Sequence, residues 1–115
     1  MAAQFGGEPA ERVRELQFAL WRLEELRDWD RDAVWQALKS LADALQLKVK
    51  DLLAPLFLAI SGSRASISVV DAMDLLGPDM SRARIRHAIE VLGGVSKKAH
   101  KRLEKEYRSL GLEEH

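Results

Sequence analysis

From Pro9 onward the apolar residues recur at intervals of three and four, the repeat of a helix with one buried face. Val13, Leu16, Leu20 and Leu23 form the first stripe and predict a helix from Pro9 to about Arg27. Pro9 suits its first turn, where a missing N–H has no partner to lose. Residues 1–8 read as a frayed leader. Val34, Leu38, Leu41 and Leu45 predict a second helix, capped by Asp30 or Asp28, whose short carboxylates can accept from a free N–H of the first turn. A third, from Val49 to Ile60, is apolar all round from Leu52 onward, as befits a helix buried on most sides. Pro55 removes the bond to the Asp51 carbonyl, so this helix either kinks or restarts there. Ser66 is expected to cap a short fourth helix that Gly77-Pro78 stops. Asp79 starts a fifth, with Ile85, Ala88, Ile89 and Leu92 inward, closed by Gly93-Gly94. Ser96 caps a sixth, with Ala99, Leu103, Tyr107 and Leu110 inward, ending near Gly111.

This pattern contains no convincing strand and implies an all-α fold, a compact cage or bundle of about five to six short helices. Residues 9–94 read as the helical domain and 95–115 as a basic helical extension packed on it or following it. Trp21 and Trp35 sit beside the stripes, where helix packing is the plainer reading and base stacking the alternative.

The chain has 115 residues, enough for one modest core, and it is 47% hydrophobic, too apolar for a disordered segment. Basic and acidic side chains balance at 18 each, so overall charge points to no partner. Their distribution does. Residues 1–77 sum to −3 and residues 78–115 to +3, which places any polyanion at the C-terminal half. With no cysteine, disulfides and thiolate chemistry are excluded, in keeping with a reducing cytoplasm. The longest apolar run, Leu52 to Ile60, falls far short of the roughly 20 residues that span a bilayer, and the N-terminal residues do not read as a secretory signal.

An enzymatic site has little to stand on. His87 and His100 fall on different predicted helices, and no His or carboxylate group has metal-ligand spacing. Glu24-Glu25 reads as solvated charge. Two basic features remain. Arg82, Arg84 and Arg86 crowd the start of the fifth helix. Lys98, Lys101, Lys105 and Arg108 follow at helical spacing on the last one. Such crowding of like charge is unfavourable on an isolated helix and suggests phosphates as partners. A solvated face is the other reading, with Glu104 and Glu106 close by and Arg86–Glu90 an ordinary helical ion pair.

The run from Leu41 to Leu92 resembles the C-terminal anticodon-binding subdomain of bacterial glutamyl-tRNA synthetases. Leu41-Ala42, Leu45, Leu47-Lys48, Pro55-Leu56, Ala59, Gly62, Leu75-Leu76-Gly77, Arg84-Ile85 and Ala88-Ile89 appear in the family's order and at nearly its spacing. Trp35 also matches a tryptophan common in that family. The resemblance implies a helical cage that reads the anticodon of tRNA(Glu) and performs no catalysis of its own. ATP and magnesium would belong to the rest of the synthetase chain, the second partner it implies, and no membrane is involved. By position, Arg64, Ser66, Ile67 and Val69 would face the anticodon bases. The charge clusters add Arg82, Arg84 and Arg86 as phosphate contacts, and Lys98, Lys101 and Lys105 on a last helix that extends past the usual end of the family. Two positions depart from the family. Its base-contacting arginine is Phe57 here, which can stack but not donate, and its helix-start proline is Ile67. A helical module that docks a protein after losing base reading is the alternative, and the burial of Phe57 discriminates between them.

Overall fold

The computed structural model describes residues 5–61 and 68–112. Among them are five helices and no strand: α1 (Pro9–Glu24), α2 (Arg31–Ala44), α3 (Val49–Ser61), α4 (Val69–Val91) and α5 (Lys97–Ser109). The described residues have a Cα radius of gyration of 13.1 Å. α4 packs along both α3 and α1, α2 closes against all three, and α5 lies against α1.

The stripes read from the sequence face one core. Leu16, Leu23, Val34, Leu38, Leu41, Leu52, Leu56, Ile60, Met73 and Ile85 are fully buried within it. α1 stops at Glu24, short of Arg27. Phe5, expected in a frayed leader, is buried in the core cluster instead. α3 does not restart at Pro55: one helix runs from Val49 to Ser61, with Pro55 inside it and buried.

Local chemistry sets the helix ends. Asp30, not Asp28, caps α2 by accepting from the Ala33 N–H at 2.8 Å. Ser96 caps α5 through the Ala99 N–H. The cap of α4 is Ser68, two residues beyond the expected Ser66, which lies outside the described residues. After α4, Gly94 N–H reaches the Ile89 carbonyl and Gly93 N–H the Glu90 carbonyl. After α2 the same paired closure runs from Leu47 to Ala42 and from Gln46 to Asp43, which holds Gln46 at φ 59°. The Leu-Ala…Leu-x-Leu-Lys run that carried part of the resemblance therefore spans the last turn of α2 and the turn that leads into α3. Leu41 and Ala42 are core, Gln46 takes the left-handed position, and the Lys48 carbonyl opens α3 by accepting from Asp51 and Leu52.

The expected fourth and fifth helices meet without an intervening loop. α4 bends at Gly77, whose φ of 83° and ψ of 171° lie outside the helical region, and Pro78 follows. Such a bend leaves helix carbonyls without their i+4 donors. The Met73 carbonyl accepts from the Trp29 indole at 3.0 Å, and the buried Ser81 hydroxyl lies 3.4 Å from the same oxygen.

Candidate nucleic-acid interface

Residues 62–67 join α3 to α4. Arg64, Ser66 and Ile67, expected to face anticodon bases, lie outside the described residues. A cleft opens beside each of the two helix ends that flank this junction.

One cleft, of about 210 Å³, lies between the last turn of α3 and the two halves of α4; Phe57, Ser61, Leu75, Leu76 and Arg84 are among its lining residues. Its character is apolar with a single charge, the Arg84 guanidinium. Phe57 is half-buried: it packs against the core and still contributes to the cleft wall. Leu75 is 80% exposed, far more than any other leucine of the core-forming helices. Val69, Val70, Met73 and Leu76 share the inward face of α4, and Leu75 falls about 160° away from Met73 at 100° per residue. The second cleft, about 250 Å³, includes Arg31, Trp35, Leu53 and Ser68 in its lining. Trp35 is half-buried there and packs against the core.

Val69, the one expected base-facing residue that is described, turns its side chain inward and is 4% exposed. It lines both clefts but offers little accessible surface of its own. Ser68 accepts from the Asp71 N–H and donates to the Asp71 carboxylate, while Arg31 binds that carboxylate from α2. These two hydrogen bonds, Ser68 first and then Arg31, hold the Asp71 carboxyl below its ordinary range. The start of α4 is thus tied to α2 before any ligand arrives.

The three arginines of α4 do not form one patch. Arg82 and Arg86, one turn apart, reach α1: Arg82 donates to the Leu23 carbonyl at 3.1 Å and lies 5.7 Å from the Trp29 ring centre, and Arg86 pairs with Glu24 at 3.0 Å. The expected Arg86–Glu90 pair is replaced by this longer-range one. Glu24 and Glu25 stay exposed, as solvated charge would be, and each has a partner: Glu24 pairs with Arg86 and Glu25 accepts from the Tyr107 hydroxyl. Arg84 turns the other way and donates to the Ile60 carbonyl in the last turn of α3, the negative end of that helix. Only Arg84 lines the cleft at the junction.

On α5, Leu103 and Tyr107 are buried against α1, where Tyr107 meets Phe18 and Trp21 at centroid distances of 5.5 and 5.4 Å. Arg14 of α1 makes a two-pronged bond to Glu106, with Nε 3.1 and 3.0 Å from the two carboxylate oxygens. Lys98, Lys101 and Lys105 are exposed on the opposite side of this helix.

A family model described as an anticodon-binding domain matches residues 5–89. The chain belongs to this anticodon-binding domain family. Among curated proteins it is 59% identical over 100 residues to the glutamate–tRNA ligase of Saccharophagus degradans, covering 87% of this chain and 20% of that protein. It is 58% identical over 103 residues to the one from Cellvibrio japonicus, covering 89% and 20%. With the Pseudomonas putida ligase the identity is 45% over 103 residues, covering 89% and 21%. The chain thus spans about a fifth of the length of the curated relatives it matches. For an anticodon-binding domain, Leu75 and the cleft side of Phe57 are features that residue spacing did not single out as a pair. The available signal was Leu75 itself, an apolar residue placed off the stripe of its own helix.

Proposed function

We propose that this chain is the anticodon-binding part of a glutamate–tRNA ligase and that it holds the anticodon stem-loop of tRNA(Glu) at the α3–α4 junction. Membership of the anticodon-binding domain family carries this reading, and the junction's geometry supports it. Unpaired loop bases need flat or apolar surface to stack on and a few fixed donors. Phe57 and Leu75 offer the surface. Arg84 offers the donors, because a guanidinium has five N–H groups and the Ile60 carbonyl takes one in this structure. Phe57 stands where the family has an arginine, so its contribution is stacking, and hydrogen bonding falls to Arg84. Aminoacylation, with its ATP and magnesium, would be the work of the longer relatives' remaining length.

Titration of the labelled chain with a tRNA(Glu) anticodon stem-loop, followed by NMR, tests this directly. Shifts should concentrate at Phe57, Leu75, Arg84 and residues 62–67, and should weaken with a stem-loop of altered anticodon. Shifts that ignore the anticodon, or that avoid this junction, would remove the proposal and favour docking of a protein there.

A further inference from the structure

Helix α5 carries a charge excess that the fold leaves unused. Its 13 residues include Lys97, Lys98, Lys101, Arg102, Lys105 and Arg108 against only Glu104 and Glu106. Both acids are engaged. Glu106 is held by Arg14 of α1, and Glu104 by Arg108 at 3.3 Å. Among the described residues Lys98, Lys101 and Lys105 have no ion-pair partner. Elsewhere the basic side chains nearest the core are consumed: Arg14, Arg22, Arg82 and Arg84 each bond to another helix or to its backbone.

Geometry concentrates the three lysines further. Relative to Leu103 at the centre of the buried face, positions 98, 101 and 105 lie about 140–160° around the helix, and they span roughly 10 Å along its axis. The helix is fixed beneath them by the Arg14–Glu106 fork and the Tyr107–Glu25 bond, so the row is presented by a rigid element. α5 also lies beyond the family match, which ends at residue 89.

We infer that Lys98, Lys101 and Lys105 form a second RNA-binding surface, separate from the α3–α4 junction, that contacts the sugar–phosphate backbone without regard to base sequence. RNA backbone fits because its charges repeat along a line, as these ammonium groups do, and because ammonium groups bind phosphate as point charges with little geometric demand. This inference rests on an RNA partner but not on anticodon reading at the junction.

The test is the salt dependence of binding by the full chain and by its K98Q/K101Q/K105Q variant. The probes are the tRNA(Glu) anticodon stem-loop and a hairpin of the same length with an unrelated loop. Glutamine has a helix propensity close to that of lysine and the sites are exposed, so α5 should persist; circular dichroism checks this. Losing three phosphate contacts should lower the slope of log affinity against log salt by about 2 to 3, for both hairpins alike. The variant should then lose roughly 16- to 64-fold less affinity than the wild type between 50 and 200 mM salt. An unchanged slope overturns the inference, as does failure of the wild-type chain to bind either hairpin at low salt. If the wild type binds both hairpins equally and the variant loses that binding, the junction reading fails while the α5 surface stands.

Discussion

The indole N–H of Trp29 donates to the backbone carbonyl of Met73, 44 residues away, at the point where α4 prepares to bend. Trp29 lies in the short connection between α1 and α2, so one side chain ties that connection to the first half of α4. Arg82, from the second half of α4, approaches the Trp29 ring and donates to the last turn of α1. The bend that shapes the junction cleft is therefore held from outside α4 as well as by Gly77 within it.

Trp29→Phe keeps an aromatic ring and removes the donor. Of its two side-chain donors the Met73 carbonyl then keeps the Ser81 hydroxyl at 3.4 Å, a weak contact. We expect a loss of about 1–2 kcal/mol in urea unfolding, the usual cost of a buried acceptor left without its main partner. In a Ser81→Ala background the loss should be larger, and a double-mutant cycle measures the coupling. An additive cycle would mean that the two donors do not share the oxygen.

Backbone conformation separates two substitutions that look alike on paper. Gly77 sits at φ 83° and ψ 171°, a region that residues with a side chain hardly enter, although a Cβ built there would meet nothing within 4 Å. Gly77→Ala should therefore destabilise by about 1–3 kcal/mol through strain alone, and it should perturb the junction cleft. Gln46 presents the opposite case, a side-chain-bearing residue at φ 59° in the closure after α2. Gln46→Gly should stabilise by about 0.5–1 kcal/mol, the relief of left-handed strain less glycine's greater entropy loss. Thermal melts of both variants read the two signs.

The Arg14–Glu106 fork predicts a response to acid. Its hydrogen bond to Arg14 holds the Glu106 carboxyl below the ordinary glutamate value of 4.5. A depressed folded-state value means that the contribution is complete above about 4.5 and is lost as the pH falls through the lowered value. Stability should thus decline below pH 4.5, and Glu106→Gln should flatten that decline while lowering stability near neutrality. The Asp71 carboxyl, lowered by Ser68 and Arg31, adds a response of the same sign below its ordinary value of 3.8. Equal acid slopes for wild type and Glu106→Gln would count against the fork.

Binding at the junction should respond to Phe57 and Arg84 in different ways. Phe57→Leu removes the stacking surface and keeps an apolar contact with the core, so affinity for the anticodon stem-loop should fall by about 1–3 kcal/mol, on the scale of one lost base stack. Arg84→Met removes the donors and should reduce the preference for the native anticodon more than it reduces the slope with salt. If both variants bind like the wild type, the cleft is not part of the RNA interface.

Much of this architecture was legible in the order of residues. The apolar stripes of α1, α2 and α5 and the caps at Asp30 and Ser96 depend on neighbours within about four positions, as does the closure at Gly93-Gly94. Local spacing is enough to read them, apart from the choice of Asp30 over Asp28, which the structure decided. The ordered matches from Leu41 to Leu92 pointed to the anticodon-binding family for a related reason, since several of them are the turns and buried positions that any such cage requires. Other features were decided by tertiary structure. Arg82, Arg84 and Arg86 look equivalent along the chain, yet packing sends two to α1 and one to α3, because residues two apart on a helix face different neighbours. Spacing sets Leu75 off the apolar stripe of α4, but only the placement of the surrounding helices puts it at the edge of a cleft. Phe5 joined the core for want of nothing in its own segment: a short turn can bury an aromatic ring whenever the helices beside it leave room. Periodicity specifies which face of a helix is apolar, whereas the partner of each side chain depends on which distant helix arrives opposite it, and that is settled only when the whole core packs.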